Sequence, residues 1–147
     1  MKLSTKGRYA VRLMIDLAAH SGKDPVLLRE ISRREGISEK YLWTLINSLK
    51  AAGLISATRG VHGGYKLARQ PAEISVKDIL QASEGSMCLV DCVEKPAACS
   101  RTAFCVARDL WDEVSESIDR ILASTTLADM VERYKAKKED IAADYSI

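Results

Sequence analysis

Residues 27–69 read LLREISRREGISEKYLWTLINSLKAAGLISATRGVHGGYKLAR, and the fold turns on how this stretch is divided. Residues 27–38 make a short helical segment that Gly36 ends, since glycine accepts the left-handed conformation that closes a helix. A second helix begins at Ser38, whose hydroxyl can accept from the free amides of a first turn. Its apolar residues Leu42, Leu45, Ile46 and Leu49 follow the spacing i, i+3, i+4, i+7 of one buried face. Two helices are therefore joined by a tight turn at Gly36-Ile37-Ser38. Beyond them, residues 54–58 and 65–68 are short strand candidates around a turn rich in glycine, with Gly60, Gly63 and Gly64. A helix-turn-helix followed by a two-stranded ribbon is a winged helix, and the tip of this wing carries Arg59 and His62.

Outward from that stretch the pattern is mostly helical. Residues 4–21 place Tyr9, Val11, Leu13, Met14, Leu17 and Ala18 as a core-facing helix, opened by Ser4 or Thr5 and closed by Ser21-Gly22. After Pro71 a short helix over SVKDILQASEG ends at Gly85. The next residues, to 105, hold Pro96 and few periodic apolar positions and read as loop. A long amphipathic helix follows on Ala107, Leu110, Trp111, Val114, Ile118, Ile121 and Leu122. Thr126 and Asp129 then form a capping-box start for a last helix through about Tyr134, and KAKKEDIAADYSI reads as a charged, fraying tail. The expected fold is mostly α: a winged helix-turn-helix domain with a small two-stranded wing, plus a long C-terminal helix. The expected divisions are 1–85 for the winged helix, 86–105 for the cysteine-rich loop, 106–135 for the C-terminal helices and 136–147 for the tail.

The 147-residue chain has a formal net charge of +2, unevenly spread. Residues 1–70 hold 13 Lys and Arg against 5 Asp and Glu, a net of +8, and residues 71–147 hold 9 against 15, a net of −6. A basic half joined to an acidic half predicts that one half meets a polyanion, although a solvated surface with uneven charge has the same composition. Arg12 and Asp16 interrupt any apolar signal-peptide region, and no apolar run approaches the ~20 residues that span a bilayer. A cytoplasmic protein without a membrane contact is expected. The sequence holds no paired catalytic acids, nucleophile–base pattern or phosphate-binding glycine loop, so no enzymatic activity is expected.

The second helix turns Glu39, Lys40, Trp43, Thr44, Asn47, Ser48 and Lys50 away from its apolar face. Such groups donate to phosphates or read base edges in the major groove. Ser38, with the helix-start amides and Tyr41 beside them, can hold a backbone phosphate. The wing, through Arg59, His62, Gly63 and Gly64, can lie along the backbone, and Lys2, Lys6, Arg8 and Arg12 add to the basic half. The competing reading is a protein-interaction winged helix in which Trp43 anchors a partner or sits in the core.

All four cysteines, Cys88, Cys92, Cys99 and Cys105, lie within CLVDCVEKPAACSRTAFC, residues 88–105. A structural zinc site usually shows two close ligand pairs, whereas the spacing C-x3-C-x6-C-x5-C has one. Thiolates around a loop also suit an iron–sulfur cluster. A cluster-free thiol switch remains open beside these, as does a small iron–sulfur electron carrier or scaffold, which would have no use for a basic helix-turn-helix.

The segments KLSTKGRYAVR, GISEKYL, AAGLI, RGVHGGYKLAR and STTLADM together resemble the IscR/NsrR type of bacterial winged-helix regulators, in order and over nearly the whole chain. The resemblance implies a homodimer that binds palindromic DNA operators and senses iron–sulfur status, nitric oxide, iron or cysteine supply. It places the dimer interface on the long helix, here Leu110, Trp111, Val114, Ile118, Ile121 and Leu122. It also implies a [2Fe-2S] or [4Fe-4S] cluster on Cys92, Cys99 and Cys105, while some members lack a cluster and act with a metabolic enzyme as partner. Two departures stand out. Members often carry Glu-Gln where this chain has Trp43-Thr44, so a different operator is expected. The family's fourth ligand comes from positions held here by Arg108 or Arg8, and a guanidinium has no lone pair to give to iron. Cys88 is the remaining protein ligand, with a small thiol or water as the next candidate. Ligation would order the 88–105 loop and so set the distance between recognition helices, which half-sites on one DNA face hold at about 34 Å.

Overall fold

Ser4 opens the first helix by accepting from the Gly7 amide at 3.2 Å, and its own hydroxyl donates to Glu84. The computed structural model describes residues 2–146. That first helix, α1 (Thr5–Ala19), buries Ala10, Leu13, Met14 and Leu17. Next come α2 (Leu28–Glu35) and α3 (Glu39–Ala51), joined by the predicted tight turn. Gly36 sits there at φ 65°, a conformation glycine reaches without a Cβ penalty. The Ser32 hydroxyl donates across the turn to the Ile37 carbonyl at 2.6 Å. Leu42, Leu45, Ile46 and Leu49 are all buried, as their spacing requires.

Strands β1 (Ile55–Thr58) and β2 (Gly64–Leu67) pair antiparallel, Ile55 opposite Leu67 and Thr58 opposite Gly64. Both lie within a residue of the expected positions. A contact the sequence does not signal is an isolated bridge from Val26, after Pro25, to Tyr65, in which each amide nitrogen lies 2.9 or 2.8 Å from the other residue's carbonyl oxygen. It roots the wing on the connection between α1 and α2.

Helix α4 (Val76–Glu84), capped by Ser75 and Asp78, packs on α1, and its terminal Glu84 covers Gly7 so closely that any side chain there would collide with it. Residues 86–105 depart from the expected loop. They form α5 (Asp91–Glu94) and two 3-10 turns at Pro96–Ala98 and Thr102–Phe104. The physical reason is local: prolines and short polar side chains close single turns that the absence of apolar periodicity conceals.

Helix α6 (Val106–Ser124) lies against α4 and ties to it through Lys77 and Asp119 at 2.7 Å. Helix α7 (Leu127–Asp144) starts on the predicted capping box and drives Leu127 fully into the core against α1. It also corrects the expected tail. The helix does not stop near Tyr134 but continues through KAKKED to Asp144. Lysine, alanine and glutamate are good helix formers, and a nucleated helix extends through them without a buried face.

Candidate nucleic-acid interface and cysteine segment

The N-terminus of α3 is assembled from three elements. Ser38 accepts from the Tyr41 amide at 3.2 Å, and Tyr41, half-buried, meets Tyr9 of α1 edge to face at 5.8 Å. Arg12 stacks over Tyr9 at 5.2 Å and pairs with Glu35 at 2.9 Å. These contacts fix α3 against α1 and α2 while Glu39, Lys40, Trp43, Thr44, Asn47 and Lys50 stay exposed. Trp43 is 56% exposed, which removes the reading of it as a core residue. Ser48 is only half-exposed.

Arg59 and His62 are exposed at the wing tip, beside a Val61 that is almost wholly in solvent. Gly63 and Gly64 are half-buried in the turn, and a Cβ at Gly63 would come within 2.5 Å of the Thr58 carbonyl oxygen, so the tight wing requires glycine there. Arg8 is exposed at the start of α1, donating to Thr5 at 3.2 Å, with Lys6 half-exposed beside it. Arg29 and Arg33 are also exposed, one helical turn apart on α2. Neither is singled out by the sequence reading, although their i, i+4 spacing is the signal that places them on one face.

Beneath this surface lies an ion pair. Asp16 of α1 is 1% exposed and receives both Nε and Nη2 of Arg34 at 2.8 Å each. The hydrogen bond to Asp16 raises the pKa of the guanidinium above its ordinary value, against an opposing effect of burial. His20 Nδ1 stands 2.8 Å from the Asp16 carbonyl oxygen, completing the contacts of the α1 C-terminus. The two helices are thereby held at one angle.

The four thiols are free, Cys99 exposed and the others half-buried. Among the described residues no three His, Cys, Asp or Glu side chains converge as a metal-ligand set. The donor chemistry of Cys92, Cys99 and Cys105 suits iron, but the segment as folded does not gather them. Their backbone is held by local bonds: the Thr102 hydroxyl lies 2.7 Å from the carbonyl oxygens of both Pro96 and Cys99. Arg108, at a position the sequence reading considers for a ligand, instead donates from Nε to the Cys92 carbonyl at 3.0 Å. Cys88 meets a cleft. It donates to the Val90 carbonyl and lines a cleft of about 800 Å³ between α4 and α6, with Lys77, Ser115, Ile118 and Leu122, which none of the other three cysteines lines.

The apolar stripe of α6 divides in two. Ile118 and Leu122 turn toward that cleft, while Leu110 is 52% and Ile121 64% exposed. Trp111 is 41% exposed and Val114 half-buried. No residue of α6 is buried among the described residues.

A winged helix with a capped, polar-faced second helix and a basic tip defines the class: a DNA-binding transcription regulator. A family model described as Rrf2, iron-dependent transcriptional regulator, matches residues 3–133. The chain belongs to the Rrf2 family. It is 42% identical over 131 residues to the protein rrf2 of Nitratidesulfovibrio vulgaris, covering 89% of this chain and 87% of that one. Among solved structures, IscR of T. potens aligns with a TM-score of 0.75 and 43% identity over 91% of this chain and 88% of that one. CymR of B. subtilis, described as its global cysteine regulator, aligns with a TM-score of 0.76 and 36% identity over 90% of this chain and 98% of that one. Family membership leaves the electron-carrier reading without support, and no helix among the described residues is long and apolar enough to cross a membrane.

Proposed function

We propose that this protein is a homodimeric, operator-binding regulator that reads DNA through α3 and the wing and senses iron–sulfur, redox or nitric oxide status through its cysteine segment. The observation that carries the DNA reading is the outward face of α3, polar and exposed on a helix whose other face is fully buried. Lys6, Arg8, Lys40, Lys50 and Arg59 would neutralise phosphates, Ser38 and the first amides of α3 would take one phosphate, and Trp43, Thr44 and Asn47 would face bases. The exposed margin of α6, Leu110 and Ile121 with Trp111, supports dimerisation along that helix, because such a stripe is covered in a stable soluble assembly.

Cys92, Cys99 and Cys105 are the residues that would hold an iron–sulfur cluster. Bound there, it would supply a centre reactive toward oxidants and nitric oxide. The division into a DNA-binding unit over 1–85, a sensor segment over 86–105 and dimer helices beyond it follows from that reading. The segment's hydrogen bonds are nearly all within single turns, which would let ligation rearrange one turn against another, and its attachment to both α4 and α6 would couple its state to the spacing of the two α3 helices. A cluster-free, cysteine-responsive regulator is the second reading, favoured by the ungathered thiols and the likeness to CymR.

Anaerobic purification with iron and sulfide analysis, an absorption spectrum and operator binding tests the proposal. Stoichiometric iron and sulfide with visible absorbance, lost in Cys92→Ala, Cys99→Ala and Cys105→Ala, is the expected outcome. Metal-free protein that still binds DNA, with affinity changed by thiol oxidation, would establish the second reading.

A further inference from the structure

Residues Lys40, Trp43, Thr44 and Asn47 recur at i, i+3, i+4 and i+7 and share the outward face of α3. Two of these present apolar groups. The indole of Trp43 stands more than half in solvent although nothing in the chain covers it among the described residues. The Thr44 hydroxyl is committed to the Lys40 carbonyl at 3.2 Å, one turn back in the helix, so the group Thr44 offers outward is its methyl. Asn47, exposed between them, carries the paired donor and acceptor that match the N6 and N7 of adenine. After Glu39 the helix holds no carboxylate, so its centre has no acceptor-only group for a cytosine amine.

In the major groove the one apolar feature of base identity is the C5-methyl of thymine. We propose that α3 reads A·T pairs at the centre of each half-site, with Trp43 packing its indole on a thymine methyl, the Thr44 methyl beside it, and Asn47 pairing with an adenine. This rests on α3 being the recognition helix. It commits Trp43 to DNA, with a role as a protein anchor left as an outcome that refutes it.

The test begins with duplexes selected from a randomised library by the full-length protein. Each thymine of the selected half-site is then replaced by uracil, which removes the methyl and leaves every hydrogen-bonding group in place. At one or two positions the wild type should lose about fourfold in affinity, the equivalent of one methyl returned to water. Trp43→Ala should bind more weakly to the thymine duplex and show no loss on uracil substitution at the same position. Trp43→Phe, which keeps an apolar ring, should retain the sensitivity. Because Trp43 is exposed, thermal melting of the variants should match the wild type.

Uracil tolerated at every position by the wild type overturns the proposal while leaving DNA binding intact. So does a Trp43→Ala variant with unchanged thymine sensitivity, which would hand the indole to a protein partner. Absence of binding to any duplex overturns the recognition-helix reading itself, and the proposal with it.

Discussion

Asp16 shows what a single side chain can hide. Along the chain it is only a charge that interrupts an apolar run, yet in the fold it receives a bidentate guanidinium from a residue 18 positions away. Removing one member of a buried pair leaves the other without its partner and costs about 3–5 kcal/mol. The Arg34 side chain is 22% exposed and regains some water, so Asp16→Ala should lose about 3 kcal/mol in urea unfolding, at the low end of that range. Asp16→Asn, which keeps one hydrogen bond, should lose less. Operator affinity should fall with both, because the pair helps to set the angle at which α2, and with it α3, lies on α1. Unchanged stability would mean that apolar packing alone sets the α1–α2 angle.

At the scale of elements, α6 and α7 differ in what holds them. Helix α7 is started by its cap: Thr126 accepts from the Asp129 amide at 3.1 Å, and the Asp129 carboxylate accepts from the Thr126 amide at 2.8 Å. That backbone hydrogen bond, then the one to the Thr126 side chain, lowers the Asp129 pKa below its ordinary 3.8. A lowered folded value means stabilisation that is present above the ordinary carboxylate range and lost as pH falls through the lowered value. Thr126→Ala should cost about 1 kcal/mol at neutral pH, and in Asp129→Asn the acid limb of the stability profile should flatten. Helix α6 instead lacks a buried residue among the described residues, and the proposed dimer would cover its exposed margin. Leu110→Asp and Ile121→Asp place charges on its exposed margin and should yield monomers in sedimentation, with operator binding lost. A dimer that survives both substitutions locates the interface elsewhere. Ile118 is a poorer probe, because it lines the cleft within its own chain.

Over the whole molecule the charge asymmetry becomes a measurable property. The basic half carries α3, the wing and the start of α1, so operator affinity should fall steeply with salt as phosphate counterions are displaced. Arg59→Ala should weaken binding to all sequences alike and reduce the slope of log affinity against log salt by about one per protomer contact. A slope that does not change would take the wing tip off the phosphate backbone. The cysteine segment joins this half to α6, and Cys88 lines the α4–α6 cleft at the segment's start. Cys88→Ala, at the remaining protein ligand, should give a cluster that is lost faster than in the wild type, whereas substitution of Cys92, Cys99 or Cys105 should abolish it. A Cys88→Ala variant with unchanged spectrum and cluster stability would make the fourth ligand external or place it elsewhere in the dimer.

What the sequence determined by itself was local and periodic. The spacing of Leu42, Leu45, Ile46 and Leu49, the stop at Gly36 and the glycines between the strands specify the winged helix, because capping, amphipathicity and turn geometry act within a few residues. The same locality made Ser38, Arg59 and the polar face of α3 legible as candidates for DNA contact. Only the tertiary structure decided the rest. Pairing of Asp16 with Arg34, the rooting of the wing at Val26, the bond from Arg108 to Cys92 and the division of the α6 stripe join residues far apart in sequence or on separate elements. No periodicity encodes such contacts: they follow from which surfaces the helices bury against one another, and that is settled by the packing of the whole chain.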